Sequence, residues 1–188
     1  MKLKYMTNSF DVYRNSINDS LKNISKDQIN ESIKILKQTI KNKGKIYIVG
    51  NGGSASIASH VSVDFAKVAR VKSSTFNNSN LITCFANDYG YENWVVEAIK
   101  AYMFKNDMLI LISSSGKSKN ILNAAKYCNK KSIQLITFSG FKKNNPLSKL
   151  GLVNFHIDSN KYNFIEMAHH IILVYLVDTF TNYKKNNN

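Results

Sequence analysis

Two short segments carry most of the chemistry legible in this chain of 188 residues. Gly50-Asn-Gly-Gly-Ser54 places three glycines and a serine where a short apolar run gives way to a helical pattern. The glycines free the backbone to turn tightly, and Ser54 offers a hydroxyl and an amide where a helix starts, which suits an anion. Ser113-Ser-Ser-Gly-Lys-Ser118 follows another apolar run in the same position, with four serines and a glycine opening a helix. Neither segment has the spacing of the dinucleotide or P-loop glycine motifs. Each alone reads equally well as a plain strand-to-helix turn. Together, at one edge of a sheet, they would converge donors on a single phosphate.

The elements that must hold these loops follow from periodicity. Residues 1–43 are polar and helical in pattern, with Ile24, Ile29, Ile33, Ile35, Leu36 and Ile40 at near-helical spacing and Gly44 as the stop. Strands are expected at 45–49, 81–85, 107–112, 132–138 and 153–157, with helices at 54–68, 91–104, 118–128 and 164–180. Strands alternating with helices imply an α/β fold: a doubly wound, parallel five-stranded sheet with helices on both faces and an N-terminal helical extension. Ligands of such sheets bind beyond the carboxyl ends of the strands. One domain over 1–188 is expected, with the α/β part at 44–183 and a solvated tail at 184–188.

Composition narrows the function classes. No signal sequence and no run of about 18 apolar residues is evident, so no membrane partner is expected. Two cysteines, Cys84 and Cys128, exclude a disulfide framework or a four-cysteine zinc site and fit a reducing cytoplasm. Both read as buried small apolar residues, Cys84 at the end of the second strand. The chain carries 26 Lys+Arg against 12 Asp+Glu, a net charge of +14. Such an excess ordinarily points to nucleic acid. Here the only arginines are Arg14 and Arg70, and the lysines are scattered along the chain. Nucleic acid is therefore not the expected partner.

At this point the residues resemble the SIS (sugar isomerase) domain family, and within it the phosphoheptose isomerase branch. The resemblance rests on Gly50 to Ser54 with His60 after it, on Asn87-Asp88-Tyr89-Gly90, on Ser113 to Ser118, and on the last helix from Tyr162 to Asp178. It implies a flavodoxin-like fold and a homotetrameric cytoplasmic enzyme, with residues 1–43 in subunit contacts, that converts sedoheptulose 7-phosphate to glycero-manno-heptose 7-phosphate, for lipopolysaccharide, capsule or another heptose glycan. It also implies a phosphate held by Ser54, Ser113, Ser115 and Ser118 with the main chain around Ser114. Asn51, Gly52 and Gly53 belong to the same grip, while Asp88 and Asn163 would lie by the sugar.

Aldose–ketose isomerisation moves a proton between adjacent carbons through an enediol, so it needs acid–base groups. The family has a His-x-x-x-Glu pair after the glycine loop and a Gln (or Glu) and a His on the last helix, a set able to bind zinc. In this chain the resemblance assigns His60, Asp64 and Glu166 to that set. Asp64 is shorter by a methylene than the Glu it replaces, and Val174 stands where the second His belongs. A zinc bound by His60, Asp64 and Glu166 would thus lack one donor. His169 and His170 lie nearby, but adjacent helical residues diverge by about 100°, so only one can face the site. Two readings stay open: an active isomerase in which His170 or His169 replaces the missing imidazole, and a degraded relative that binds a sugar phosphate or a protein partner of the regulatory or replication-initiator type.

Overall fold

The computed structural model describes residues 4–185. Two helices lead, α1 (Lys4–Leu21) and α2 (Lys26–Lys41), followed by β1 (Ile46–Gly50), α3 (Gly53–Lys67), β2 (Ser73–Thr75), α4 (Ser79–Tyr89) and α5 (Trp94–Tyr102). The second half runs β3 (Met108–Ser113), α6 (Lys119–Lys130), β4 (Gln134–Gly140), a 3-10 turn at Pro146–Lys149, β5 (Val153–Ile157) and α7 (Tyr162–Lys185). The five strands are all parallel, in the order β2-β1-β3-β4-β5. That is the flavodoxin-like doubly wound order.

Alternation along the strands splits the core into two layers. Ile46 and Ile48 of β1 pack with Ile57, Ala58, Val61 and Phe65 of α3 and with the buried stripe of α7. Tyr47 and Val49 face the other way, onto Trp94, Val95 and Ala98 of α5 and Ile121, Ala124 and Ala125 of α6. So β1 and β3 lie side by side, but the chain leaves β1 for one face and β3 for the other. This is the topological switch point, and it sets the two loops next to each other.

Several expectations change. The strand expected at 81–85 is helix α4, capped by Asn78, whose side chain accepts from the Asn80 N–H. Leu81, Ile82, Phe85 and Ala86 pack on the second core layer at helical spacing; an apolar run this short does not reveal its period. The true second strand, Ser73–Thr75, is half-buried and polar, an edge with no apolar signature. Cys84 consequently sits exposed on a helix, whereas Cys128 is buried as expected. The tail expected at 184–188 starts too early, since Lys184 and Lys185 belong to α7, and 186–188 lie outside the described residues.

The isoleucine stripe of the leading segment packs on its own sheet. Ile35 and Leu36 are buried in the first core layer with Ile24, Ile29, Ile33 and Ile40 against it. Ser25 and Gln28 form a full capping box at the start of α2, and Gln28 Nε2 donates to Asn154 O of β5. Helix α7 is long and apolar enough by composition to cross a membrane, from Tyr162 to Thr181, but half of that stretch is buried inside the subunit. Ile165, Ala168, Ile172, Leu173, Leu176 and Val177 line its core face. It is the closing helix of the core.

The turn after β3 depends on one glycine. Gly116 has φ +62°, and a Cβ there would overlap the side chain of Asn145, itself buried. Asn145 in turn donates to Gly140 O and Lys142 O and accepts from the Ser148 N–H, so it has no freedom to move aside. Replacing Gly116 by Ala is expected to destabilise the protein by about 2 kcal/mol or more, read as a lower urea midpoint with unchanged slope.

Candidate active site

A cavity of about 140 Å³ opens at the carboxyl ends of β1 and β3, lined by Asn51, Ser54, Ile112, Ser113, Ser114, Ser115, Ser118, Tyr162 and Glu166. Every serine expected at a phosphate is there. Gly52 supplies the positive φ of +56° that turns the chain into α3. Gly53 has no room for a Cβ, because the Glu166 carboxylate from α7 occupies that space. The first loop is further held by Asn77, which donates to Gly50 O and accepts from the Gly50 N–H.

The cavity is a place of unmet donors. Neither α3 nor α6 has a side-chain cap on its N-terminal amides, so both present free N–H groups and the positive end of a helix. Ser118, at the start of α6, accepts at Oγ from the Ser113 hydroxyl at 3.2 Å. The Ser114 hydroxyl is buried and has no hydrogen-bond partner. A buried hydroxyl without a protein partner, on a cavity wall, is open to a ligand atom or a water.

Sequence reasoning missed three polar residues here. Asn120 is buried and forms a reciprocal amide pair with Asn51, both bonds 2.9 Å; Tyr91 O–H donates to the same Asn51 oxygen at 3.3 Å. Asn51 is thereby fixed with its oxygen spent and one amide hydrogen left over as a donor. Tyr162 lines the cavity where its neighbour Asn163, the expected residue, is exposed on the first turn of α7. Asp88 is not a lining residue; its carboxylate accepts from Asn87 Nδ2 on the exposed side of α4.

The proton-handling residues lie along the groove between α3 and α7. Glu166 reaches the cavity, and burial raises its carboxyl above the ordinary range. One helical turn on, about 6 Å along α7, His170 Nε2 stands 2.9 Å from His60 Nδ1. His60 Nε2 stands 3.1 Å from Asp64 Oδ2. Since a carboxylate only accepts, His60 carries its proton on Nε2 and accepts at Nδ1 from His170 Nε2–H. That leaves His170 Nδ1 as the basic end of a three-residue chain. Burial and the neighbouring His60 lower the His170 pKa. His60, His170 and Val174 also line an apolar cleft of about 550 Å³ with Met167, Ile171 and Tyr175.

Asp64 and His170 lie at opposite nitrogens of the His60 imidazole. Glu166 lies against Gly53 at the cradle, and among the described residues no group of three or more His, Cys, Asp or Glu side chains is placed to hold a metal ion.

His169 is withdrawn from the catalytic candidates. Its ring is fully buried against Phe138, and Nε2–H donates to Ser139 O at 3.1 Å. Burial, opposed by that bond, pushes its pKa down to about 4. An unfolded chain therefore binds a proton here at a higher pH than the folded one, so stability is complete above about pH 6.5 and is lost as pH falls toward 4. A His169→Gln variant is expected to flatten urea stability across that window, and an unchanged slope would contradict the assignment.

The chain has relatives in both sequence and fold. The SIS domain model matches residues 12–140. A phosphoheptose isomerase of Helicobacter pylori is 35% identical over 178 residues, 90% of each chain. Solved phosphoheptose isomerases from Neisseria gonorrhoeae and Francisella tularensis superimpose with TM-scores of 0.86 and 0.84, covering 96% and 97% of this chain and all of theirs, at 20% and 22% identity. With its switch-point serine cradle and this kinship along nearly its whole length, the chain belongs to the SIS domain family, in the phosphoheptose isomerase branch.

Proposed function

We propose that this protein is an isomerase acting on sedoheptulose 7-phosphate, giving glycero-manno-heptose 7-phosphate. The observation that carries the reading is the cavity of unmet donors, above all the buried, partnerless Ser114 hydroxyl among Ser54, Ser113, Ser115 and Ser118. A phosphate dianion satisfies hydroxyls and two helix N-termini at once and needs no arginine. Kinship with phosphoheptose isomerases supports a seven-carbon sugar phosphate; the groove between α3 and α7 gives the sugar a path away from the phosphate.

Along that path the chemistry divides between two groups. Glu166 takes a proton from C1 of the ketose, and its raised pKa brings it nearer to that of the working solution, where a general base is most effective. As the C1–H electron pair forms the enediol double bond, the C2 oxygen gains a proton. Return of a proton to C2 and loss of the O1 proton complete the aldose. His170, with Nδ1 open and Nε2 backed by His60 and Asp64, moves the oxygen protons. Asp64 acts by orienting His60, for which the shorter side chain suffices.

The same reading makes the protein a cytoplasmic homo-oligomer. Phe10, Val12 and Tyr13 of α1 and Met167, Ile171 and Tyr175 of α7 are exposed apolar side chains that a tetramer would cover; light scattering should give about four chains per particle.

Turnover of sedoheptulose 7-phosphate by NMR is expected for the wild type. Glu166→Gln should lower kcat at least 100-fold with KM changed little, and His170→Leu roughly 100-fold. The acid limb of the wild-type pH profile should lie above the ordinary carboxylate range and disappear in Glu166→Gln. Sugar-phosphate binding without turnover would instead support the degraded, ligand-binding reading.

A further inference from the structure

His169 is a buried, titratable ring with no place in the chemistry above, on a stripe of α7 that is otherwise apolar. Burying a polar ring is unfavourable unless its bonds are met, and here Nδ1 has no partner at all. Its one polar contact must account for its presence. Nε2–H donates to Ser139 O at 3.1 Å. That carbonyl belongs to the same peptide group as the Gly140 N–H, which donates to Ser114 O at 2.8 Å. The Ser114 carbonyl in turn shares a peptide group with the N–H of Ser115, a residue of the cavity wall.

The contacts therefore form one line: imidazole, peptide 139–140, peptide 114–115, cavity. A peptide that accepts at its carbonyl donates more strongly through its N–H, and the effect passes along a chain of such bonds. The line is also stiff. A Cβ on Gly140 would overlap Ile165, so α7 rests directly on this stretch, and Asn145 Nδ2 donates to Gly140 O, the carbonyl of the next peptide.

We propose that His169 is a positioning residue for the anion cradle, fixing and polarising the Ser115 N–H through the Ser139–Gly140 and Ser114–Ser115 peptides. The proposal rests on the phosphate reading of the cavity. It gives α7 two functions: it carries Glu166 and His170 to the sugar, and it holds the second loop in register for the phosphate.

The test compares wild type with His169→Leu, which fills the space without a donor, and His169→Gln, whose amide can donate to Ser139 O. His169→Asn, whose amide is a methylene shorter and leaves no donor within reach of Ser139 O, serves as the second donor-lacking variant should the Leu protein fail to fold. Binding of inorganic phosphate by calorimetry, turnover of sedoheptulose 7-phosphate, and the amide NMR shifts of Gly140 and Ser115 in ligand-free protein are measured for each. Loss of the donor should raise the phosphate Kd and the sugar-phosphate KM about tenfold, leave kcat within about twofold, and move both amides upfield. The Gln variant should recover most of each change. A folded donor-free variant with wild-type phosphate affinity and unmoved amides would overturn the proposal, as would equal impairment in the Gln and donor-free proteins. If the wild type itself binds no phosphate, the cradle reading fails and this role with it; wild-type binding beside an unimpaired Leu variant sinks the positioning role alone.

Discussion

Helices α3 and α6 begin side by side because β1 and β3 are neighbours in the sheet and their connections leave for opposite faces. Two helix N-termini, each without a side-chain cap, thus meet at one point. Their amides, and a buried serine hydroxyl between them, cannot be satisfied by the chain itself. An anion resolves that conflict. The requirement explains why glycine appears where the backbone turns sharply at Gly52 and Gly116, and why the loops are built from serines, which supply short donors without competing charge. The net charge of +14 then acts as a diffuse field that draws anionic substrate toward the cradle.

Helix α7 is the second structural decision. Its buried stripe closes the first core layer, so its position is fixed by packing along most of its length. Glu166 and His170, four residues apart, fall on the edge of that stripe facing α3, one at the cradle and one a turn away beside His60. Rigid packing is what allows a carboxylate to be held against Gly53 in partial burial, and partial burial is what raises its pKa. The proton chemistry is therefore a consequence of how the core closes.

Much of this was legible in the residues. Strands β1, β3, β4 and β5 are short apolar runs, largely buried, and the glycine and serine loops announce the switch point. What was hidden has physical reasons. β2 is an edge of three polar residues whose pairing is set by β1 rather than by its own pattern. The run 81–85 is too short to show whether its period is 2 or 3.6, and only the Asn78 cap decides for a helix. The Asn51–Asn120 pair joins residues 69 positions apart, beyond any local signal. Which of His169 and His170 faces the groove depends on the rotation of α7, which the apolar stripe fixes: the fully buried side takes His169, and His170 falls toward α3.

The account stands or falls on a phosphate-anchored proton transfer. The direct measurement is NMR of sedoheptulose 7-phosphate with the protein in deuterated water, with unphosphorylated sedoheptulose as the companion substrate. The account predicts an aldose heptose 7-phosphate carrying deuterium at C2, and no conversion of the unphosphorylated sugar. No product, or conversion of both sugars at similar rates, would contradict it.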